Sequence, residues 1–175
     1  MTKYLCVLSV FLICLFMGCK RSSDSINDIQ NVNTFTQTKN DTAYFYLSDT
    51  LGNIQTHFQI GEDIIFNLCI INNQDTVLTF TKSHGGLPIV SFMVFKADTL
   101  FGISDEGYVY PAIISGGAIF PKDTLEYSVS WDSNPYHQNI FVTGTYSTSI
   151  YSYIWFKDFN LYNYMDTLYF EIVDG

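Results

Sequence analysis

From Thr42 onward the chain alternates short apolar-rich runs with turn residues, and the runs have the period of strands. TAYFYLS (42–48) alternates and is followed by the turn DTLGN. EDIIFNLCII (62–71) puts Ile64, Phe66, Leu68 and Ile70 on one face and Ile65, Cys69 and Ile71 on the other. A strand apolar on both faces is covered on both, which predicts a central position in its sheet. After the turn NNQD come TVLTF, the loop KSHGGLP, and IVSFMVFK with ADTLFGIS as its hairpin partner. SDEGYVYPAIISGG breaks the pattern, because Pro111 and the Gly116–Gly117 pair bar a long regular strand. DTLEYSVSW sets Leu125, Tyr127, Val129 and Trp131 on one face, and GTYSTSIYSYIWF and DTLYFEIV close the series. No stretch beyond Gly18 carries a helical period. About seven to nine short strands at this spacing predict an antiparallel β-sandwich of Greek-key type over residues 42–175.

The N-terminus reads differently. Lys3 precedes an apolar run from Tyr4 to Met17, and Gly18 supplies the small residue of a peptidase site. As a helix this run reaches roughly 21 Å, short of the roughly 30 Å hydrocarbon core, so a signal peptide over 1–18 is expected. LFMGC (15–19) resembles a bacterial lipobox, which makes Cys19 the lipidated first residue of the mature protein. An uncleaved anchor, favoured by Lys20 and Arg21, and ordinary secretion are the alternatives. Several acyl chains on one cysteine hold a protein at the membrane almost permanently. The expected location is the bacterial cell envelope, on the periplasmic or surface side of the outer membrane. Residues 19–41 are polar, with isolated Ile26, Ile29, Val32 and Phe35, and are expected to form a flexible tether with a mean reach near about 25 Å. Cys6 and Cys14 leave with the signal and Cys19 is consumed, so Cys69 remains as a buried strand thiol with no disulfide partner.

Charge narrows the partners. Eight Lys and Arg face 17 Asp and Glu, and the lysines after Arg21 are scattered, so a nucleic-acid surface is excluded. His57, His84 and His137 sit in separate contexts with no H-x-H, H-E-x-x-H or C-x-x-C spacing, and no metal site is expected. SHGGLP has the His-Gly-Gly of an esterase oxyanion hole but lacks a G-x-S-x-G elbow, so Gly85–Gly86 reads as a turn. SDEG (104–107) has too few ligands for calcium and reads as a solvated turn. No cofactor and no enzymatic activity are expected. The C-terminal aromatics are too dense for strand alternation alone. Tyr151, Tyr153, Trp155, Phe159, Tyr162 and Tyr164 are candidates for a contact surface for protein or glycan, against a local aromatic core under a long loop. Tyr146, at the start of a late strand, can return its hydroxyl to nearby backbone and close a sandwich corner. Trp131, at a strand end, reads as core.

The order of these segments resembles a known family. FQIGEDIIFNLCIINNQDTVLTF (58–80), IVSFMVFKAD (89–98), AIFPKDTLEYSVSWD (118–132) and TGTYSTSIY (143–151) are similar, in that order, to the strands and turns of the intracellular proteinase inhibitor family, the BsuPI-type domain. Lys122–Asp123 stand where the family has Gly-Glu, residues 103–117 lack its Trp-containing stretch, and residues 155–175 run past its end. The family is called intracellular, whereas this chain carries an export signal. The resemblance implies an immunoglobulin-like sandwich and raises proteinase inhibition as an activity. An inhibitor of this kind would use loops at one end of the sandwich. The candidates are 82–88, with Lys82, Ser83, His84, Leu87 and Pro88, and 132–141, with Tyr136 and His137. The leading expectation is therefore a membrane-tethered immunoglobulin-like interaction domain with a protein partner, proteinase inhibition being its sharpest form. The rivals are a glycan-binding module built on the C-terminal aromatics and a structural accessory lipoprotein.

Overall fold

A computed structural model of the chain describes residues 32–38, 41–83, 88–157 and 167–175. The signal segment and Cys19 lie outside them. The described residues form twelve strands and no helix. They are β1 (Val32–Thr38), β2 (Asp41–Ser48), β3 (His57–Gln59), β4 (Ile65–Asn72), β5 (Leu78–Lys82), β6 (Val90–Lys96), β7 (Thr99–Ile103), β8 (Ser115–Ile119), β9 (Thr124–Ser130), β10 (Gly144–Ser152), β11 (Ile154–Phe156) and β12 (Leu168–Val173).

Two sheets make the sandwich, β1-β2-β4-β9 and β3-β12-β10-β6-β7, and a small third sheet is ordered β11-β5-β8. In immunoglobulin terms β2, β4 and β9 are strands A, B and E, while β12, β10, β6 and β7 are G, F, C and C′. Every pairing is antiparallel except β3 against β12. The fold is all-β and immunoglobulin-like.

Packing follows the alternation. β4 lies between β2 and β9, and Ile64, Phe66, Leu68 and Ile70 are all buried in the core. Its other face is half-covered rather than fully buried: Ile65 and Ile71 are partly exposed, and Asn67 is held by Ser48 and Ser128. The two sheets meet through rings, with Phe66 at 5.3 Å from Phe92 and Phe45 at 5.5 Å from Phe92. Trp131 is buried beneath Phe66, Phe101 and Phe141, as its place at the end of the β9 alternation required.

The strand count and one boundary differ from expectation. Val32–Thr38, read as tether, pairs with β2 as an edge strand. Such pairing uses backbone groups on one side only and needs no apolar alternation, so VNTFTQT gave no period to detect. Short strands β3, β8 and β11 raise the count further. Ser115–Ile119 is a strand despite its glycine pair, because the Phe80 ring lies across Gly117, where any Cβ would collide with it.

The corner at Tyr146 forms. Its hydroxyl donates to Val142 O at 2.9 Å and accepts Val142 N–H at 3.2 Å, with Lys96 Nζ at 3.1 Å. Tyr146→Phe keeps the ring and removes these bonds. It should cost about 1–3 kcal/mol, read as a lower urea midpoint with an unchanged slope.

Candidate functional site

The hairpin β6–β7 places the turn that follows it. Ser104 extends the pairing: its N–H donates to Phe92 O at 2.9 Å and its Oγ accepts Phe92 N–H at 3.0 Å. This lays Asp105 over β6. Asp105 Oδ1 accepts the hydroxyl of fully buried Ser91, and Oδ2 accepts that of Tyr153 at 3.1 Å, the two hydroxyl oxygens lying 3.0 Å apart. An ionised carboxylate suits this position because it accepts at both oxygens and donates at neither. Gly107, at φ +80°, then turns the chain under the Tyr136 side chain, whose atoms leave no room for a Cβ. Beyond it Tyr108 stacks on Tyr110 (6.3 Å) and meets Tyr136 edge-on (5.3 Å).

Three phenols around this turn, Tyr110, Tyr127 and Tyr153, are shifted toward the neutral form. Burial pushes the Tyr110 hydroxyl up to about 12, helped by the charge of Asp105 and by Tyr153 and Tyr108. Burial also raises Tyr127, with Tyr110, Asp105 and Tyr153 adding to it. Tyr153 is raised first by burial and further by Asp105, against a lowering bond from Ser91. Burial first, and the nearby carboxylate second, favour the protonated form of these three phenols.

The loop joining β9 to β10 is tied to the same turn. Asn134, buried, donates from Nδ2 to Ser104 O (3.1 Å) and Glu106 O (3.0 Å) and accepts Tyr136 N–H at Oδ1 (2.9 Å). His137 stacks on Trp131 at 3.9 Å, with Nδ1 2.9 Å from Trp131 O and Nε2 2.8 Å from Ile103 O. Both ring nitrogens thus face backbone carbonyls, to one of which a neutral imidazole donates. Asn139 Nδ2 donates to Phe101 O. Tyr136 exposes about half of its surface.

Asp132 opens this loop in an unfavourable setting. Burial raises its carboxyl above the usual value, as does the neighbouring Asp63, and His137 only partly offsets them. A raised carboxyl helps the fold below its ordinary value near 3.8 and loses that contribution as pH rises through the raised one. Asp132→Asn should therefore increase stability at neutral pH, and the gain should fade in acid. Urea midpoints at pH 7 and pH 4 check the sign.

The other candidate loop leaves the opposite end of the sandwich. Lys82 pairs with Ile154, Ser83 N–H donates to Tyr153 O at 3.0 Å, and Pro88 is buried. His84 and Leu87 lie outside the described residues, as do Phe159, Tyr162 and Tyr164. Strand polarity thus puts the roots of the two loops at different ends, not together at one. What links them is the side of the molecule, through Tyr136, Tyr108 and Tyr110, then Asp105, Tyr153 and Tyr151. Tyr151 and Trp155 are exposed, but the chain passes from one sheet to another between them, and the Tyr151 and Tyr153 rings cross at 67°. They do not form a coplanar strip. Phe156 is core, packed on Phe80 at 5.5 Å.

Beyond Asp105 and Glu106, charge is sparse on this side. No Asp, Glu, Lys or Arg lies between Glu106 and Lys122, or between Asp132 and Lys157, in a chain of net charge −9. The two uncharged stretches touch at Tyr108 and Tyr136. Within them Val109 is 94% exposed, Ile114 80% and Ile140 81%, with Tyr108, Ile113, Phe120 and Tyr136 also open to solvent. Sequence alone points to neither Asp105 nor Ser91 as a site residue, and the SDEG turn is anchored at Ser104 and Asp105 while Glu106 and Gly107 are open to solvent. The paired charge gaps were the signal available. Among the described residues no three His, Cys, Asp or Glu side chains gather as a metal site. The arrangement offers neutral hydroxyl donors and apolar surface, which suits binding.

No family model matches the chain, and no curated protein matches it. Solved structures similar to it include a β-glucosidase from Listeria innocua (10% identity, TM-score 0.37, 76% of this chain and 16% of that one). Others are the CARDB domain of PF1109 from Pyrococcus furiosus (10%, TM-score 0.40, 80% and 100%) and the C-terminal domain of wzt (10%, TM-score 0.39, 84% and 81%). The chain spans only a sixth or so of the β-glucosidase's length. At these scores the likenesses bring no chemistry with them, and the immunoglobulin-like architecture rests on the strand order itself.

Proposed function

We propose that this chain is a membrane-tethered immunoglobulin-like interaction domain whose protein-binding face is the charge-poor, tyrosine-lined side around Asp105. The observation that carries the reading is the pair of charge-free stretches meeting at Tyr108 and Tyr136, with Val109 and Ile114 of the first stretch exposed. The buried centres of protein interfaces are rich in Tyr, Trp and Phe and poor in Lys, Glu and Asp, which matches this composition. The anchored turn lowers the ordering cost of binding, since Asn134, Asp105 and His137 already hold its backbone.

Tethering rests on the signal-like run and on Cys19. Metabolic labelling with a fatty acid tests it: wild type should take up label and Cys19→Ala should not, and an unlabelled wild type removes the anchor. The sharpest form of the function is proteinase inhibition. Titrating the protein against secreted and periplasmic serine proteinases should show inhibition that Val109→Asp abolishes without loss of stability. Full turnover at micromolar protein that stays intact would remove inhibition and leave a binding domain for another protein.

A further inference from the structure

One tripeptide recurs along the chain. Six of the thirteen aspartates, at 41, 49, 75, 98, 123 and 166, are followed by threonine and then by Ala, Val or Leu. With 16 threonines in 175 residues, random pairing would give about one Asp-Thr pair. We infer that the threonines of three copies, Thr50, Thr76 and Thr99, are sites of O-glycosylation. The inference rests on the export that the Cys19 reading supplies and is independent of the protein-binding face.

The fold explains half of the copies. An Asp in a turn, a β-branched Thr and an apolar residue make a natural entry to a strand. Ala43 and Leu168 are buried and Leu125 packs against the core, so those copies serve β2, β12 and β9. The other three bury nothing comparable. Leu51 is 86% exposed, Leu100 51% and Val77 45%, and the threonine beside each is exposed too. Asp49-Thr50-Leu51 follows β2 instead of preceding a strand, in a turn closed by bonds between Asp49 and Asn53. Recurrence is a property of the sequence and exposure a property of the fold. Together they mark three open turns on which an enzyme can reach the same hydroxyl, flanked by the same residue types.

The reactive group common to the three is the Thr hydroxyl, so the chemistry is group transfer onto Oγ. Phosphoryl transfer is disfavoured, because each phosphate would stand beside a carboxylate in a chain of net charge −9. A neutral glycan meets no such repulsion, and it covers the exposed aliphatic side chain next to it. In the step, Thr Oγ bonds to the anomeric carbon of a sugar carried on a lipid diphosphate, a donor held in the membrane as the chain is. The bond from that carbon to the diphosphate oxygen breaks. The lipid diphosphate leaves, and the Oγ proton passes to a base of the transferase. Nothing is oxidised or reduced.

Full-length protein is purified from its native cells after fatty-acid labelling and digested with chymotrypsin. Electron-transfer mass spectrometry, which keeps glycans on their residues, then locates any addition. Sugar should appear on Thr50, Thr76 and Thr99 and be absent from Thr124 and Thr167. Asp98→Asn, a residue that accepts the positive φ of that position (62°), should remove the sugar at Thr99 and leave Thr50 modified. Fatty-acid-labelled protein with no sugar on any of the three would overturn the inference and leave the tether standing. Sugar without the fatty-acid label would remove the tether alone, and the absence of both would overturn both. Phosphate in place of sugar would also overturn the inference, as would equal occupancy at Thr124 and Thr167 or a Thr99 glycan that survives Asp98→Asn.

Discussion

Phe66→Ala should lower the unfolding free energy by about 3–5 kcal/mol, the usual cost of a buried phenylalanine and the cavity it leaves. Phe66 is fully buried at the middle of the sandwich. Its ring lies 5.3 Å from Phe92 and 6.4 Å from Phe170 in the opposite sheet, and 5.6 Å from Trp131. Truncation therefore removes contacts that join the two sheets, and neighbours anchored in different strands cannot close the gap. A loss of this size is a large part of a small domain's total stability. Cys69→Ser, on the other face of β4, should cost clearly less. Equilibrium urea unfolding decides it: a Phe66→Ala midpoint equal to wild type would mean that β4 is not the central strand.

Asp105→Ala should cost about 2–3 kcal/mol, more than its half-exposed position suggests. The carboxylate accepts two hydroxyls, and fully buried Ser91 would keep an O–H with no equally good acceptor. Asp105→Asn retains one good acceptor and should cost less. Because the same carboxylate pins the turn that leads to Val109, hydrogen exchange should quicken at residues 106–110 in the alanine variant while β4 stays protected. Unchanged exchange there would show that Asn134 and His137 alone hold the turn.

The parts of the fold that were legible in sequence are those set by local period. The β4 face, the β9 face ending in Trp131 and the β6–β7 hairpin all follow from alternation within one segment. Tyr146 was legible because its partner, Val142, lies four residues away. The Asp105 cluster was not, since its hydroxyl partners come from 14 and 48 residues away and only the folded sheet brings them together. His137 looked like a loop residue free to bind. Its commitment to the carbonyls of Trp131 and Ile103 depends on a crossing between β7 and the β9–β10 loop that no spacing encodes. β1 was missed for the converse reason, as an edge pairing made by backbone.

The claim that the charge-poor tyrosine side is the binding face has a direct test in intact cells. A photo-crosslinking residue is placed at Val109 in the full-length protein, and another at Leu51, which is equally open but lies on the β2–β3 turn. The account predicts a discrete protein adduct from position 109 that is absent from position 51 and lost when Ile114→Asp is added. No adduct at 109, or the same adducts from both positions, would contradict it.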